Sequence, residues 1–340
     1  MSAQATFAVA DPSQVGAVRR AALRLAQTSG LSETVSGAVA IVASELATNL
    51  SRYATGGHVF LRAVADGTNT STAHPAVEVL SVDTGPGLDP LRALQDGYST
   101  GGTSGNGLGA VRRLSTEFDL YSAPGTGTVV LARVTDPSHR RARFSWGAVA
   151  TCAPHETVSG DAWRVVTGAD GLALMMADGL GHGEHANVAA EAVASAFEAD
   201  PFAAPQQVCE RAHRAAQGTR GAAIGVARIA GASLRYAGVG NISGSIVTGP
   251  QSRGLASQNG TIGAQVRRVQ EFEYNWGPGA LLVLHSDGLT NRWSLDRYPG
   301  LVARHPSVIA AVLHRDFLRG RDDATVVVVR DTGVEEQGHG

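Results

Sequence analysis

Asp178-Gly179-Leu180-Gly181-His182-Gly183 closes an apolar run, Leu172-Ala173-Leu174-Met175-Met176-Ala177, which follows the run 163–167 across Gly168-Ala169-Asp170-Gly171. A short Asp-Gly-containing link between two strand-like runs is a strong hairpin signal. At the open end of such a hairpin, positions on the two strands come opposite each other. Asp161, at the start of the first strand, and Asp178, at the end of the second, therefore fall on one sheet edge. Two more acidic strand ends follow: Asp287 in Ser286-Asp287-Gly288, after the apolar residues 280–284, and Asp322-Asp323 before Val326-Val327-Val328-Val329. One Asp-Gly is ordinarily a β-turn, but four acidic strand ends in one half of a chain make a ligand set. Hard divalent cations prefer carboxylate, carbonyl and water oxygens, and a pair of them can activate a bridging water for in-line attack on phosphorus.

The first half has a different pattern. Asp11-Pro12 starts a helix that ends near Gly30, and Ser32 caps a longer one through Val35, Val39, Val42, Leu46 and Leu50 that stops at Gly56-Gly57. Strands suit 59–64, 77–82, 117–121 and 128–134, and a helix suits 108–115. Glu45 and Asn49 are four apart and share a helix face. Asp83-Thr84-Gly85-Pro86-Gly87 follows a strand, Gly105-Asn106-Gly107-Leu108-Gly109 opens a helix, and Gly125-Thr126-Gly127-Thr128 opens a strand. A strand-end carboxylate can accept from an amino group, an amide oxygen can ligate Mg²⁺, and glycines at a helix start let backbone amides crowd phosphate oxygens. The glycine run lacks the preceding strand of a dinucleotide-binding unit, and there is no Gly-Lys-Ser/Thr phosphate loop.

In this order the four elements resemble the GHKL ATPases. Ser44-Glu45-Leu46-Ala47-Thr48-Asn49-Leu50-Ser51-Arg52-Tyr53-Ala54, Asp96-Gly97-Tyr98-Ser99-Thr100 and 111–119 resemble the RsbT-like serine kinases that act on STAS-domain proteins. The resemblance covers residues 10 to 134. It implies an ATP site in which Asp83 meets adenine, Asn49 holds Mg²⁺, Glu45 is the general base and 96–107 form a lid. Gly85, Gly87, Gly105, Gly107, Gly109 and Thr128 complete that site.

The second half resembles the metal-dependent PPM protein phosphatases of the SpoIIE and RsbX branch. Asp178-Gly179-Leu180-Gly181-His182-Gly183 and Asp322-Asp323-Ala324-Thr325 match their motifs intact. By that resemblance Asp161, Asp178, the Gly179 carbonyl, Asp287 and Asp322 hold two Mn²⁺ or Mg²⁺ ions, with Asp322 preferred to Asp323 from its place in the motif. The phosphate of a phosphoserine or phosphothreonine is the target. His182 is either the acid that protonates the leaving oxygen or a structural residue of the glycine turn. The segment 236–241 resembles a strand and turn that support the centre. A Glu found at the metal centre of other members has no counterpart next to Asp161, and Arg164 is the nearest arginine for gripping phosphate.

The expected architecture is α+β: an N-terminal GHKL ATPase-type α/β sandwich (1–134), a polar basic linker (135–143), a PPM-type α-β-β-α sandwich (144–331) and a tail (332–340). The 340-residue chain has a formal net charge of −2, which is not the basic footprint of a nucleic-acid binder. No apolar run reaches the roughly 18 residues of a membrane span, and the start lacks a secretion signal. A cytoplasmic location is expected, with STAS-domain proteins as partners; the oligomeric state is left open. Cys152 and Cys209 are too few for a disulfide framework. Three readings remain: a bifunctional kinase and phosphatase, a phosphatase governed by a non-catalytic ATP-binding domain, and a catalytically silent partner-switching binder.

Overall fold

Ser32, whose Oγ accepts the amide of Val35 at 3.4 Å, starts the long helix on which the first half is built. The computed structural model describes residues 4–54, 56–66, 74–93, 107–136, 143–169 and 171–333. It divides into two compact units, Met1–Arg141 with Ala303–Val312, and Ala142–Val302 with Leu313–Gly340. Gly105, Asp170 and most of the expected lid, linker and tail (96–106, 137–142 and 334–340) lie outside the described residues. Among the described residues no helix is long and apolar enough to cross a membrane.

The first unit contains β1 (Ala5–Val9), α1 (Val15–Thr28), α2 (Glu33–Tyr53), β2 (Gly57–Asp66), β3 (His74–Asp83), the single turn α3 (Pro90–Ala93), α4 (Gly107–Leu114), β4 (Glu117–Ser122) and β5 (Thr128–Thr135). The strands form one antiparallel sheet in the order β1-β2-β3-β5-β4. Asp11 caps a short 3-10 turn, Pro12–Gln14, which leads into α1 rather than belonging to it. Strand β1 was not legible in the sequence, because a five-residue edge strand that is largely exposed lacks a burial pattern; its pairing with β2 defines it. Val39, Val42, Ala43, Leu46 and Leu50 of α2 pack on Val59, Leu61, Val77, Val79, Val130 and Ala132.

Alternation places Arg62, Glu78 and Arg133 on the opposite sheet face, in one cross-strand row that Glu117 extends. Arg62 pairs with Glu78 Oε1. Arg133 gives Nε to Glu78 Oε2 at 2.8 Å and Nη1 to Glu117 Oε2 at 3.1 Å. Arg62, Glu78 and Arg133 are all nearly fully buried. Burial alone would raise the Glu78 carboxyl, but the two guanidiniums, with Ser307 Oγ donating at 2.7 Å, hold it below its usual value.

The second unit has two five-stranded sheets. One, ordered β13-β10-β9-β8-β7, is made of β7 (Asp161–Gly168), β8 (Gly171–Gly179), β9 (Ala222–Ala230), β10 (Ser233–Val239) and β13 (Phe272–Asn275). The other, ordered β12-β11-β14-β15-β6, is made of β6 (Phe144–Thr151), β11 (Ser243–Thr248), β12 (Gln251–Gly254), β14 (Leu281–His285) and β15 (Ala324–Asp331). Trp146 of β6 and Trp163 of β7 meet edge to face with ring centres 5.6 Å apart, joining the sheets. The first sheet is covered by α5 (Glu184–Glu198) and α6 (Pro205–Ala215): Ala189, Val193 and Phe197 of α5 and Val208 and Ala212 of α6 share one core with Met175, Ala177, Ile224 and Val226. On the second sheet His314 of α7 (Pro306–Phe317) meets Thr151 of β6 at 2.9 Å. This is the α-β-β-α layering expected from the sequence.

Removing one member of a buried charge row leaves the others uncompensated. Glu78→Ala should therefore destabilise the first unit by about 3–5 kcal/mol, measured by urea unfolding. A loss below about 1 kcal/mol, the level of a surface ion pair, would contradict the role assigned to the row.

Candidate functional site

In the first unit Glu45 and Asn49 lie on the face of α2 that the start of α4 approaches. A Cβ built on Gly107 would stand 3.1 Å from Glu45 Oε2 and 3.8 Å from Asn49 Oδ1. Gly109, two residues further on, is buried. Asp83 Oδ1 accepts the amides of Gly85 at 2.7 Å and Thr128 at 3.1 Å, so one carboxylate oxygen clasps two of the expected glycine-rich segments. Gly87 and Gly127 serve close backbone approach: a Cβ would fall 2.3 Å from Ala123 O and 2.0 Å from Asp83 O. Ser122 closes the same corner, accepting Leu88 N at 2.9 Å and donating to Gly127 O at 3.0 Å. No spacing in the sequence singled out Ser122.

In the second unit the hairpin register sets Asp161 directly opposite Asp178. Asp161 is buried, and its Oδ2 accepts Ser286 Oγ at 2.7 Å; Ser286 Oγ in turn accepts Thr325 N at 3.0 Å. This chain of bonds ties the end of β14 and the start of β15 to β7. Gly179 N donates to Gly160 O at 3.0 Å, and a Cβ on Gly179 would fall 2.1 Å from Ala186 O in the first turns of α5. Only glycine lets the strand end pass that close. Asp287 Oδ2 accepts Asn241 Nδ2 at 2.7 Å. Asp323 spends both oxygens on backbone, accepting Ala153 N and Gly160 N, each at 2.8 Å. Among the described residues Asp322 accepts one amide, that of its neighbour Asp323, at 2.9 Å.

Residues 8–134 match the family described as histidine kinase-like ATPase domain, and residues 168–331 match that described as stage II sporulation protein E (SpoIIE). The chain is 31% identical over 133 residues to the serine/threonine-protein kinase RsbT of Bacillus subtilis (strain 168), covering 39% of this chain and 96% of RsbT. The chain belongs to the RsbT family. Its other half carries the match to SpoIIE. A protein solved in work on the bacterial stressosome, as a modular system adapted to control secondary messenger signalling, shares the fold at 24% identity and a TM-score of 0.52, covering 56% of this chain and 100% of its own. A crystal structure of RsbX in complex with magnesium is more distant, at 18% identity and a TM-score of 0.48, covering 56% of this chain and 98% of its own. The SpoIIE match begins after Asp161, and the hairpin register brings that residue to the centre.

The donor set of the SpoIIE-type domain fits hard cations. Burial pushes the Asp161 carboxyl up to about 7 against the hydroxyls of Ser286 and Thr325, with Asp323 and Asp287 adding repulsion. Burial first, then Asp161, Asp287 and Asp322, pushes Asp178 up to about 9. Asp161 Oδ1 is buried and completes no hydrogen bond among the described residues, the nearby Thr325 hydroxyl included. A buried, unpartnered carboxylate oxygen among like charges is what a divalent ion relieves. Among the described residues no three Asp, Glu, His or Cys side chains stand close enough to hold a metal ion as they are placed, while Asp161, Asp178, Asp287 and Asp322 are near enough to repel one another.

Arg164 is not available for phosphate: Nη2 and Nε are taken by Glu191 at 2.7 Å and Glu198 at 2.6 Å on α5. Sequence reasoning also passed over Glu156, whose Oε1 lies 2.7 Å from His182 Nδ1. It stands five residues before Asp161 in a loop, where spacing carries no signal. His155 beside it is held at φ +71, outside the common range for residues other than glycine.

The raised carboxyls have a consequence for stability. Their folded pKa values lie above the unfolded value of about 3.9, so the folded state keeps protons that the unfolded chain has released. Metal-free stability therefore falls as pH rises from about 4 through these raised values. Asp178→Asn should flatten that fall, so that in chelator the variant melts above the parent at pH 8 and the gap narrows at pH 5. Equal melting temperatures at pH 8 would contradict the assigned repulsion.

Proposed function

We propose that this chain is a bifunctional regulator of partner switching. Its first unit transfers phosphate from ATP to a serine or threonine of a STAS-domain protein, and its second removes phosphate from phosphoserine or phosphothreonine on such proteins. The observation that carries this reading is the Asp161–Asp178 register with its orphaned carboxylate oxygen, in the same chain as an RsbT-family unit whose Glu45, Asn49 and Gly107 converge. RsbT is named a serine/threonine-protein kinase, which supports the first activity.

In the first unit Glu45 would take the proton of the acceptor hydroxyl as its oxygen bonds to the γ-phosphorus and ADP leaves, while Asn49 would hold Mg²⁺. In the second, Asp161, Asp178, the Gly179 carbonyl, Asp287 and Asp322 would hold two Mn²⁺ or Mg²⁺ ions. When bound, these supply charge neutralisation and an activated water. Ser286 orients Asp161 and Asn241 orients Asp287. His182, with Nδ1 engaged by Glu156, would give a proton to the departing serine or threonine oxygen as the phosphorus–oxygen bond breaks. Asp323 ties strands together and leaves ligation to Asp322.

The two sites are separable by substitution. Asn49→Ala should abolish transfer of labelled phosphate from ATP to a co-encoded STAS protein while Mn²⁺-dependent hydrolysis of its phosphoform stays within about twofold. Asp178→Ala should do the reverse, with hydrolysis falling at least 100-fold. Phosphate balance followed by mass spectrometry reads both. Loss of both activities in either variant would sink the assignment, and an ATP effect on hydrolysis without phosphate transfer would leave only a nucleotide-governed phosphatase.

A further inference from the structure

A phosphomonoester dianion approaching Asp161, Asp178, Asp287, Asp322 and Asp323 enters an acidic site. Even two divalent ions leave these five carboxylates in excess by one charge, before the substrate adds its own. A protein cation is needed to hold the phosphoryl oxygens, and Arg164 is occupied by Glu191 and Glu198.

Arg220 meets the requirement. Its Nη1 lies 3.1 Å from the position of a Cβ on Gly181, a residue at φ +87 in the middle of the 178–183 turn, so the guanidinium lies over the loop that carries Asp178 and Gly179. The side chain is exposed and makes no ion pair or hydrogen bond among the described residues, although acidic side chains surround the adjacent centre. An unpaired arginine over the loop that follows Asp178 keeps its planar fork of donors available for an incoming anion.

The backbone holds this position firmly. Thr219 Oγ1 donates to Ala216 O at 2.6 Å and accepts Gly221 N at 3.0 Å, closing the turn on both sides of Arg220. Gly221 O accepts Leu180 N at 2.9 Å, fastening the turn to the glycine loop. The β8–β9 register pairs Asp178 with Ala223 and Gly179 with Ala222, which sets Arg220 just beyond the ligand-bearing strand end. Gly221, at φ +87, has no room for a Cβ, because Ile262 O would lie 2.7 Å away.

We propose that Arg220 grips the phosphoryl oxygens of the substrate at the centre formed by Asp161, Asp178, Asp287 and Asp322, a role that rests on the phosphatase reading of the second unit. Arginine pairs with phosphate through two parallel N–H···O bonds, so it sets orientation as well as charge. It binds substrate, product phosphate and transition state alike, so its removal raises KM more than it lowers kcat.

The test uses the full chain, Arg220→Ala and Arg220→Lys, an aryl phosphate monoester with Mn²⁺, and inorganic phosphate binding by calorimetry in the presence of Mn²⁺. Arg220→Ala should raise KM and the phosphate Kd at least tenfold and leave the Mn²⁺ midpoint within twofold. Arg220→Lys should recover part of the affinity. Phosphate Kd and KM within twofold of the parent in both variants would overturn the role, as would a loss of phosphate affinity that merely follows a loss of Mn²⁺ affinity. If the parent binds phosphate through Arg220 but hydrolyses no phosphomonoester, the anion site stands and the phosphatase reading falls. If the parent binds no phosphate, the proposal for Arg220 falls.

Discussion

The second unit depends on two like charges being forced opposite each other. Asp161 and Asp178 face across an antiparallel pair, where like charges ordinarily destabilise. They cannot slip apart. A shift of one residue would set Leu172, Leu174 and Met176, fully buried on the other face, under α5 and α6 in place of Ala173, Met175 and Ala177, so the unequal side-chain volumes of the two packed faces hold the register and with it the repulsion. The surrounding structure is arranged to hold the charges in place: Ser286 bonds Asp161, Asn241 bonds Asp287, and glycines at 160, 179 and 288 let their segments close on Ala186 of α5 and on Asp323 and Ala324.

The first unit handles buried charge in the opposite way. Glu78 lies between Arg62 and Arg133, each ion answers another, and the carboxyl is held in its charged form. Asp161 and Asp178 meet no countercharge among the described residues, and their carboxyls are pushed up instead. That contrast sorts a structural charge row from a site prepared for cations. The same sorting applies to neighbours in sequence. Asp323 is consumed by two backbone amides, whereas Asp322, one residue earlier, accepts a single adjacent amide.

The glycines likewise divide by task. Gly107 faces the carboxylate and amide of α2, where a nucleotide site is proposed, while Gly87 and Gly127 allow backbone segments to touch. Motif matching cannot separate these uses, since both leave the same letter in the chain.

Much of this protein was legible in order and spacing alone. Ser32 and the apolar period through Leu50 specify α2, and the link at 168–171 specifies the hairpin that pairs Asp161 with Asp178; each depends on residues close in the chain. Tertiary structure decided the rest. That Arg164 is taken by α5, that Glu156 meets His182, that Ser286 bonds Asp161, and that Arg220 lies over Gly181 all depend on residues from 26 to 125 positions apart. Such contacts are set by how sheets and helices pack, and local spacing carries no record of them. The sequence by itself determined which chemistries each half can support; the fold decided which side chain of each type is free to perform them, because a charged group acts only where packing has not already supplied its partner.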